Sequence, residues 1–202
     1  MPAADINLSR FFINGIHFSC ERCGECCKGL NNGEVYLYKD DIVKMVNFLN
    51  EHDREITLEQ FCKRYVKIIP NSFYWKDANK KRGKNYAIKV LAFKFVGDNE
   101  KCPFLDDKNL CTIHNARPFQ CRAYPIGWNM LINNVRTFQK YSKDCPALSN
   151  SKDNKGEYHE ENEIIKWAKK EYEIEKNYFL KLRDNDFDIF KLYKFLPREY
   201  FC

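Results

Sequence analysis

The sequence predicts an α+β fold, a small cysteine-rich domain of short strands and loops around a metal centre, with covering helices and a C-terminal helical pair. Three observations support this: apolar residues at helical spacing in some segments, short strand-forming runs bounded by turn residues in others, and four of ten cysteines within residues 20–27. A hydrophobic core does not need thiols at that density, because Leu, Val or Ala fill space equally well. Zinc and iron–sulfur clusters do need them.

Strands are expected in three places. Residues 11–18 predict a hairpin that turns at Asn14-Gly15, a dipeptide that tolerates positive φ angles. A single strand is expected over residues 33–38. The remaining strand predictions are 73–76 and 86–95, joined by the polar turn 79–84, and a hairpin of 128–132 and 135–139 that turns at Asn133-Asn134.

Four helices are expected. Asp40 or Asp41 caps the first, whose apolar stripe is Ile42, Met45, Val46 and Leu49. The second starts at Thr57, forms a capping box with Gln60, and runs to Val66. The third covers Glu157–Arg183, and its buried stripe is Ile164, Ala168, Tyr172, Phe179 and Leu182. The fourth covers Asp186–Leu196 and is ended by Pro197.

The polar, Ser- and Asn-rich segment 149–156 is the best candidate for a linker. The predicted organisation is therefore a cysteine-cluster metal-binding domain at 1–148, the linker at 149–156, and a C-terminal helical extension at 157–202. The apolar stripe of the extension predicts that it packs on the same domain.

Composition limits location and partners. The longest apolar run, 87–96, is broken by Lys89 and Lys94, and residues 1–19 show no secretory signal, so a cytoplasmic protein with no membrane partner is expected. A reducing compartment keeps cysteines as thiols or metal ligands. The formal charge of +6 falls to about +2 once eight metal-bound thiolates are counted. With no aromatic-plus-basic stripe, nucleic acid is not an expected partner, and an unidentified protein or redox partner remains.

Eight cysteines form the candidate metal site, which is the number that two four-thiolate sites need. Cys62 is set aside as a small core residue on a helix, and Cys202 as an inert terminal thiol. The candidate ligands are Cys20, Cys23, Cys26, Cys27, Cys102, Cys111, Cys121 and Cys145. The run Cys20-x-x-Cys23-x-x-Cys26 and the Cys102-Pro103 and Cys145-Pro146 pairs are typical of ferredoxin-type ligation, which favours iron–sulfur. Two closed zinc sites with four cysteines each are the alternative.

The vicinal pair Cys26-Cys27 raises a question of geometry. In extended backbone, neighbouring side chains point to opposite faces, so the two sulfurs are expected to serve two adjacent centres, or one centre with a spare thiol. His17 and His114 each lie three residues from a cysteine. With eight thiols present, both are expected to pack or hydrogen-bond rather than to bind metal.

These motifs resemble the CxxCxxCC (YkgJ-like) family of zinc- or iron-chelating cysteine-cluster proteins. The similarity covers about residues 16–148. It rests on Phe18-Ser-Cys20-Glu-Arg-Cys23-Gly-Glu-Cys26-Cys27, Cys102-Pro-Phe-Leu105, Cys111-Thr-Ile-His114, Arg117-Pro-Phe-Gln-Cys121-Arg-Ala-Tyr-Pro125 and Cys145-Pro146. His114 departs from the family, in which Tyr is expected. The resemblance implies an iron–sulfur or zinc protein without a settled reaction.

Arg117 and Arg122 flank Cys121 and are the candidate cofactor-binding residues, since each can donate hydrogen bonds or charge to cluster sulfurs; ordinary surface arginines explain them equally well. The predicted function is a [4Fe-4S]-type protein with one or two centres and a redox or cluster-dependent role, and zinc in a structural or interaction protein is the alternative. The family includes the flagellin lysine methylase, so methyl transfer is a further alternative, although no Gly-x-Gly-x-x-Gly cradle follows a strand. No acid–base constellation identifies catalytic residues.

Overall fold

A computed structural model describes residues 6–28, 33–96 and 101–201 of the chain. Helices and two small sheets alternate along it, so the predicted α+β class is confirmed. The strands are β1 (Ile16–His17), β2 (Tyr36–Leu37), β3 (Val66–Trp75), β4 (Lys84–Phe93) and β5 (Tyr158–His159). The helices are α1 (Lys39–Asn50), α2 (Leu58–Tyr65), α3 (Phe119–Ala123), α4 (Asn129–Ile132), α5 (Val135–Ser142), α6 (Pro146–Asn150), α7 (Glu161–Arg183), α8 (Ile189–Leu192) and α9 (Arg198–Phe201).

The larger sheet is antiparallel, with the strand order β2-β4-β3. The β3–β4 hairpin pairs ten residues on each side, from Val66 opposite Phe93 to Trp75 opposite Lys84. The predicted strands and basic turn are therefore confirmed, but β3 begins seven residues earlier than expected. Helix α2 passes directly into the strand, because the run from Val66 through Ile68 and Ile69 is rich in β-branched residues that favour extended backbone.

The first two helices lie close to their predicted positions. The stripe of α1 is buried as expected, but the N-cap is Tyr38 and not Asp40 or Asp41, which lie in the first turn; there Asp41 accepts a hydrogen bond from the Tyr38 amide at 3.2 Å. At α2, Thr57 and Gln60 form the predicted capping box, with side-chain-to-amide distances of 3.2 and 2.9 Å. These local signals were readable because both partners of each cap lie within one helical turn.

The predicted hairpin over residues 11–18 is wrong. Residues 10–14 form a turn, and β1 pairs with β5, which lies more than 140 residues away in the sequence. Gly15 has φ +75°, and a Cβ there would lie 2.5 Å from the His159 carbonyl oxygen. The glycine therefore serves a close approach to β5, and not a two-residue hairpin turn.

The predicted hairpin of 128–132 and 135–139 is also wrong, because both segments are helical, as α4 and α5. The Asn134 side chain accepts a hydrogen bond from the Thr137 amide at 3.0 Å and caps α5. Asparagine is favoured both in turns and at helix N-caps, so its presence does not distinguish the two.

The C-terminal helices are shorter than predicted. Helix α7 begins at Glu161, because Tyr158 and His159 belong to β5, and it buries Ile164, Ala168, Tyr178, Phe179 and Leu182. Only Ile189–Leu192 of the predicted fourth helix is helical, with Asp188 as its cap. Tyr172 of the predicted stripe is half-buried.

Helix α7 packs on two hydrophobic cores. Phe179 and Leu182 belong to the sheet core, made mainly by α1, α2, β3 and β4. Ile164 and Ala168 belong to the cysteine-side core, which also contains Phe12, Phe138 and Leu148 and lies among α4, α5 and α6. The start of the expected linker is structured by α6 and a 3-10 turn at Ser151–Asp153. The division into domain, linker and extension stays a prediction.

The helices give no sign of a membrane span. Across residues 6–28, 33–96 and 101–201, none of them combines the length and apolarity that a crossing requires.

Candidate metal centre

All eight candidate cysteines line one cavity of about 90 Å³ between the two cores. They come from two separate stretches of chain, 20–27 and 102–145. Cys102 belongs to the sheet core and Cys145 to the cysteine-side core, so the cavity lies where the cores meet. The fold thus brings the predicted set together, whereas Cys62 is fully buried within the sheet core, as predicted for a structural thiol. Cys202 lies outside the described residues.

The first stretch bends tightly around the cavity. Arg22 and Gly24 both have positive φ angles, +55° and +76°. A Cβ at Gly24 would lie 2.7 Å from the Asn109 carbonyl oxygen, so glycine is required there for space as well as for conformation. A 3-10 turn, Glu25–Cys27, follows and presents the last two cysteines.

Backbone hydrogen bonds join the two stretches. The Cys102 amide donates to the Cys27 carbonyl at 2.7 Å, which places the two cysteines side by side. Upstream, the Phe18 amide donates to the Glu157 carbonyl at 2.8 Å, and the Glu157 amide donates to Ser19 Oγ at 3.0 Å. The backbone that leads into Cys20 is therefore held by the segment around β5.

The second stretch is shaped by short turns and by one buried carboxylate. Asp41 on α1 accepts a hydrogen bond from the Phe119 amide at 2.7 Å, which fixes the start of α3 and with it Cys121. Cys111 pairs with Leu105 in an isolated β-bridge, and Cys145 caps α6 with Pro146 at the first helical position. These anchors determine where each thiol points.

The vicinal pair does not have the geometry expected from the sequence. Cys26 and Cys27 lie in the 3-10 turn, where neighbouring side chains do not point to opposite faces, and both line the same cavity. Their sulfur atoms are 3.9 Å apart. The premise of extended backbone was wrong, because the left-handed Gly24 starts a helical turn immediately before the pair.

Five of the cavity thiols, Cys26, Cys27, Cys111, Cys121 and Cys145, have a pKa above that of free cysteine. A hydrogen bond with Cys102 and burial raise the pKa of Cys27 to about 12. The hydrogen bond with Cys27 and burial raise the pKa of Cys26, and burial raises the pKa of Cys121. Neighbouring thiols cannot easily all become anions, so a bound cation would have to displace these protons. Eight thiols this close together would therefore bind a group that carries a high positive charge.

Two polar atoms that border the cavity have no hydrogen-bond partner among the described residues, namely His114 Nε2 and the Tyr124 hydroxyl. Burial first, and then the Cys145 thiol, which is the nearest group that could accept from this hydroxyl, raise the pKa of Tyr124, so the hydroxyl stays protonated and able to donate. A buried polar atom without a partner is costly. The donor set therefore fits a thiolate-ligated group that accepts hydrogen bonds from the cavity wall.

The sequence alone does not identify Tyr124 as a residue of the site. Its place three residues after Cys121 was the one available signal, and it is a weak one, since many tyrosines beside a cysteine only pack. His17, by contrast, behaves as expected: its Nδ1 lies 3.3 Å from the Gly156 carbonyl oxygen, and its ring packs against Tyr158.

The two candidate arginines lie in different surroundings. Arg117 lines the cavity, with its Nη1 4.0 Å from Cys20 Sγ and its Nε donating to the His114 carbonyl at 3.2 Å. The Arg122 Nε donates to the Arg117 carbonyl at 3.1 Å, and Arg122 is not among the residues that border the cavity. Arg122 thus supports the backbone of Arg117.

The thiols are distributed around the cavity wall. Within the described ranges, no three Cys, His, Asp or Glu side chains converge closely enough to hold one ion. The cavity is several times larger than the roughly 10–15 Å³ that a single water needs. Both properties suit a group of several atoms better than one ion.

Comparison with known proteins agrees with the cysteine pattern. The family model CxxCxxCC, described as a "Putative zinc- or iron-chelating domain", matches residues 19–146. The Uncharacterized protein MJ0661 of Methanocaldococcus jannaschii is 30% identical over 115 residues, which are 56% of this chain and 47% of that protein. The chain thus spans about half the length of this curated relative. No solved structure matches it. The match over residues 19–146 includes all eight cavity cysteines, and the chain belongs to the CxxCxxCC family.

Proposed function

We propose that this protein is an iron–sulfur protein whose eight cavity cysteines hold one or two [4Fe-4S]-type centres in a redox or cluster-dependent role. The observation that carries the proposal is that eight thiols from two distant stretches surround a single cavity of about 90 Å³ without converging on one point. A cluster sets its ligand sulfurs farther apart than a single ion does, because several metal and sulfide atoms lie between them.

The residues of the wall have separate roles in this proposal. Arg117 places a positive charge beside Cys20, which offsets the negative charge of a thiolate-ligated group. Tyr124 and His114 could donate hydrogen bonds to a group bound in the cavity. Phe18, Phe93 and Trp128 line it and exclude water. A bound cluster would supply a one-electron couple, and the exposed Cys20 marks the side on which a redox partner would approach.

Metal and acid-labile sulfide analysis of anaerobically purified protein tests the proposal, together with an absorption spectrum. We expect iron and sulfide in nearly equal amounts and a charge-transfer band that bleaches on reduction. Colourless protein without iron or sulfide would contradict the proposal. The same preparation in air is the matched control, because exposed clusters lose iron to oxygen whereas zinc stays bound.

Zinc in two four-cysteine sites is the second candidate, and one distance favours it. Two thiolates on one tetrahedral zinc lie about 3.8 Å apart, since each Zn–S bond is about 2.3 Å. The 3.9 Å between the sulfurs of Cys26 and Cys27 matches this value. In that case zinc binding stabilises the folded chain, and the protein's surface binds a partner. Stoichiometric zinc, equal in aerobic and anaerobic preparations, would favour this candidate.

Two finer points stay predictions. A cytoplasmic location is supported by the number of free thiols that a reducing compartment would preserve. Methyl transfer rests on the resemblance alone, and micromolar binding of S-adenosylmethionine by calorimetry would be needed to support it.

A further inference from the structure

A second cavity, of about 190 Å³, lies between α7 and the larger sheet and has no lining residue in common with the cysteine cavity. Its apolar floor is formed by Phe73, Ile88 and Val90. Tyr36, Tyr38 and Tyr178 form aromatic walls, Asn71 and Ser72 contribute from β3, and Glu175 of α7 supplies a carboxylate. We name it the tyrosine cavity.

The aromatic walls have a defined geometry. The rings of Tyr38 and Tyr178 are 5.5 Å apart with an interplanar angle of 67°, so they meet as two sides of a corner. The Tyr178 hydroxyl donates to the Lys89 carbonyl, which fixes that ring against β4. A corner of electron-rich ring faces attracts a cation placed within about 6 Å of the ring centres.

Among residues 6–28, 33–96 and 101–201, the Glu175 carboxylate has no hydrogen-bond or ion-pair partner. Glu173 on the same helix, by contrast, pairs with Lys176 at 3.1 Å. Burial, and then the neighbouring Glu171, raise the pKa of Glu175 to about 7. Two further acids, Tyr36 and Tyr38, lie beside it in the cavity wall. A partly buried carboxylate in an aromatic and apolar cavity loses part of its hydration, and an incoming cation would offset that loss.

The residues that line the tyrosine cavity favour some classes of ligand over others. An anion would be repelled by Glu175 and Glu171. A hard metal ion such as Ca²⁺ takes six to eight oxygen ligands, whereas a single carboxylate and an apolar floor are present here. A neutral apolar group would leave the carboxylate buried and unpaired. The volume suits one functional group and not a drug-sized molecule.

We propose that the tyrosine cavity binds an alkylammonium group, such as the end of a lysine side chain or of a polyamine, with the charge held by Glu175 and the methylenes on Phe73, Ile88 and Val90. The site is independent of the metal centre. Val35 lines the cysteine cavity and the next residue, Tyr36, lines the tyrosine cavity, so one short segment separates the two.

Ligand-observed NMR and calorimetry with n-butylammonium chloride test this proposal, using the metal-loaded full chain at pH 8, where Glu175 is ionised. We expect saturable binding that butanol and potassium chloride do not reproduce. Glu175→Gln should weaken it at least about tenfold, because a charge-assisted contact is lost. Tyr36→Leu, which keeps the wall apolar but removes the aromatic face, should weaken it several-fold.

Glu173→Gln is the matched control, because it removes a carboxylate from the same helix that is already paired with Lys176. It should bind butylammonium as the wild type does. The proposal is overturned if the wild type does not bind butylammonium, if butanol binds equally well, or if Glu175→Gln and Glu173→Gln bind alike.

Discussion

The sheet side of the molecule consists of long regular elements, a hairpin of two ten-residue strands and a 23-residue helix, whereas the cysteine side consists of short helices, turns and loops. On the sheet side, Phe179 contacts the rings of Phe73, Trp75 and Tyr86 in a core that excludes water. On the cysteine side, thiols and unpartnered polar atoms face a cavity. Both sides have a hydrophobic core, but we expect the loops of the cysteine side to depend in addition on what the thiols bind.

The largest expected effect is the loss of metal binding on the cysteine side. Cys26→Ser and Cys27→Ser should each abolish most metal binding and to the same extent, because both thiols face one cavity with their sulfurs 3.9 Å apart. Cys62→Ala is the control and should keep full metal content, since Cys62 is buried in the sheet core. Metal analysis per folded protein is the measurement. Unequal losses from the two serine variants would instead indicate two separate centres.

Phe179→Ala should destabilise the sheet side. Phe179 is fully buried among aromatic rings, so its truncation is expected to cost about 3–5 kcal/mol in the free energy of unfolding. Tyr74→Ala, at a side chain that is 47% exposed, should cost less than about 0.5 kcal/mol. Denaturant titration measures both. Phe179→Ala molecules that are still folded should retain their metal. Folded molecules without metal would show that the sheet side and the cysteine side are not independent.

Glu175→Gln should raise stability on the sheet side at alkaline pH. The pKa of Glu175 is raised to about 7 in the folded chain, so the unfolded chain releases this proton at lower pH. The contribution of Glu175 to the free energy of unfolding is therefore greatest below about pH 4.5 and is lost as pH rises through 7. Removing the charge should add on the order of 1–3 kcal/mol at pH 8 and almost nothing at pH 4.

Urea titrations at several pH values measure this difference, and Glu173→Gln again serves as the control. If Glu175→Gln were equally stable or less stable than the wild type at pH 8, the carboxylate would not be held at a cost in the folded chain.

The smallest expected effect sharpens the description of the cysteine side. Tyr124→Phe removes only a hydroxyl that borders the cavity, so metal content should be unchanged. If the hydroxyl donates to a bound cluster, its loss should lower the reduction potential by about 40 mV, the equivalent of one hydrogen bond of about 1 kcal/mol. Spectroelectrochemistry measures the potential. An unchanged reduction potential would indicate that the Tyr124 ring only packs.

The accuracy of sequence reasoning also differs between the two sides. The stripe of α1 and the capping box of α2 were predicted because periodicity and capping depend on residues a few positions apart. The two hairpin predictions on the cysteine side were wrong, because the Asn14-Gly15 and Asn133-Asn134 pairs have more than one structural use. Residues from distant parts of the chain decided between them, as when β5 pairs with β1.

The sequence by itself determined which ligands are available: eight cysteines at ligand spacing, with flanking prolines and Arg117, predict a soft-metal site whatever fold the chain adopts. Only the tertiary structure decided its geometry. It turned Cys26 and Cys27 to the same side, brought 20–27 to 102–145, left Tyr124 facing the thiols and formed the tyrosine cavity around Glu175. The physical reason is that ligand type is a property of single residues, whereas direction and neighbourhood depend on contacts between residues far apart in the chain.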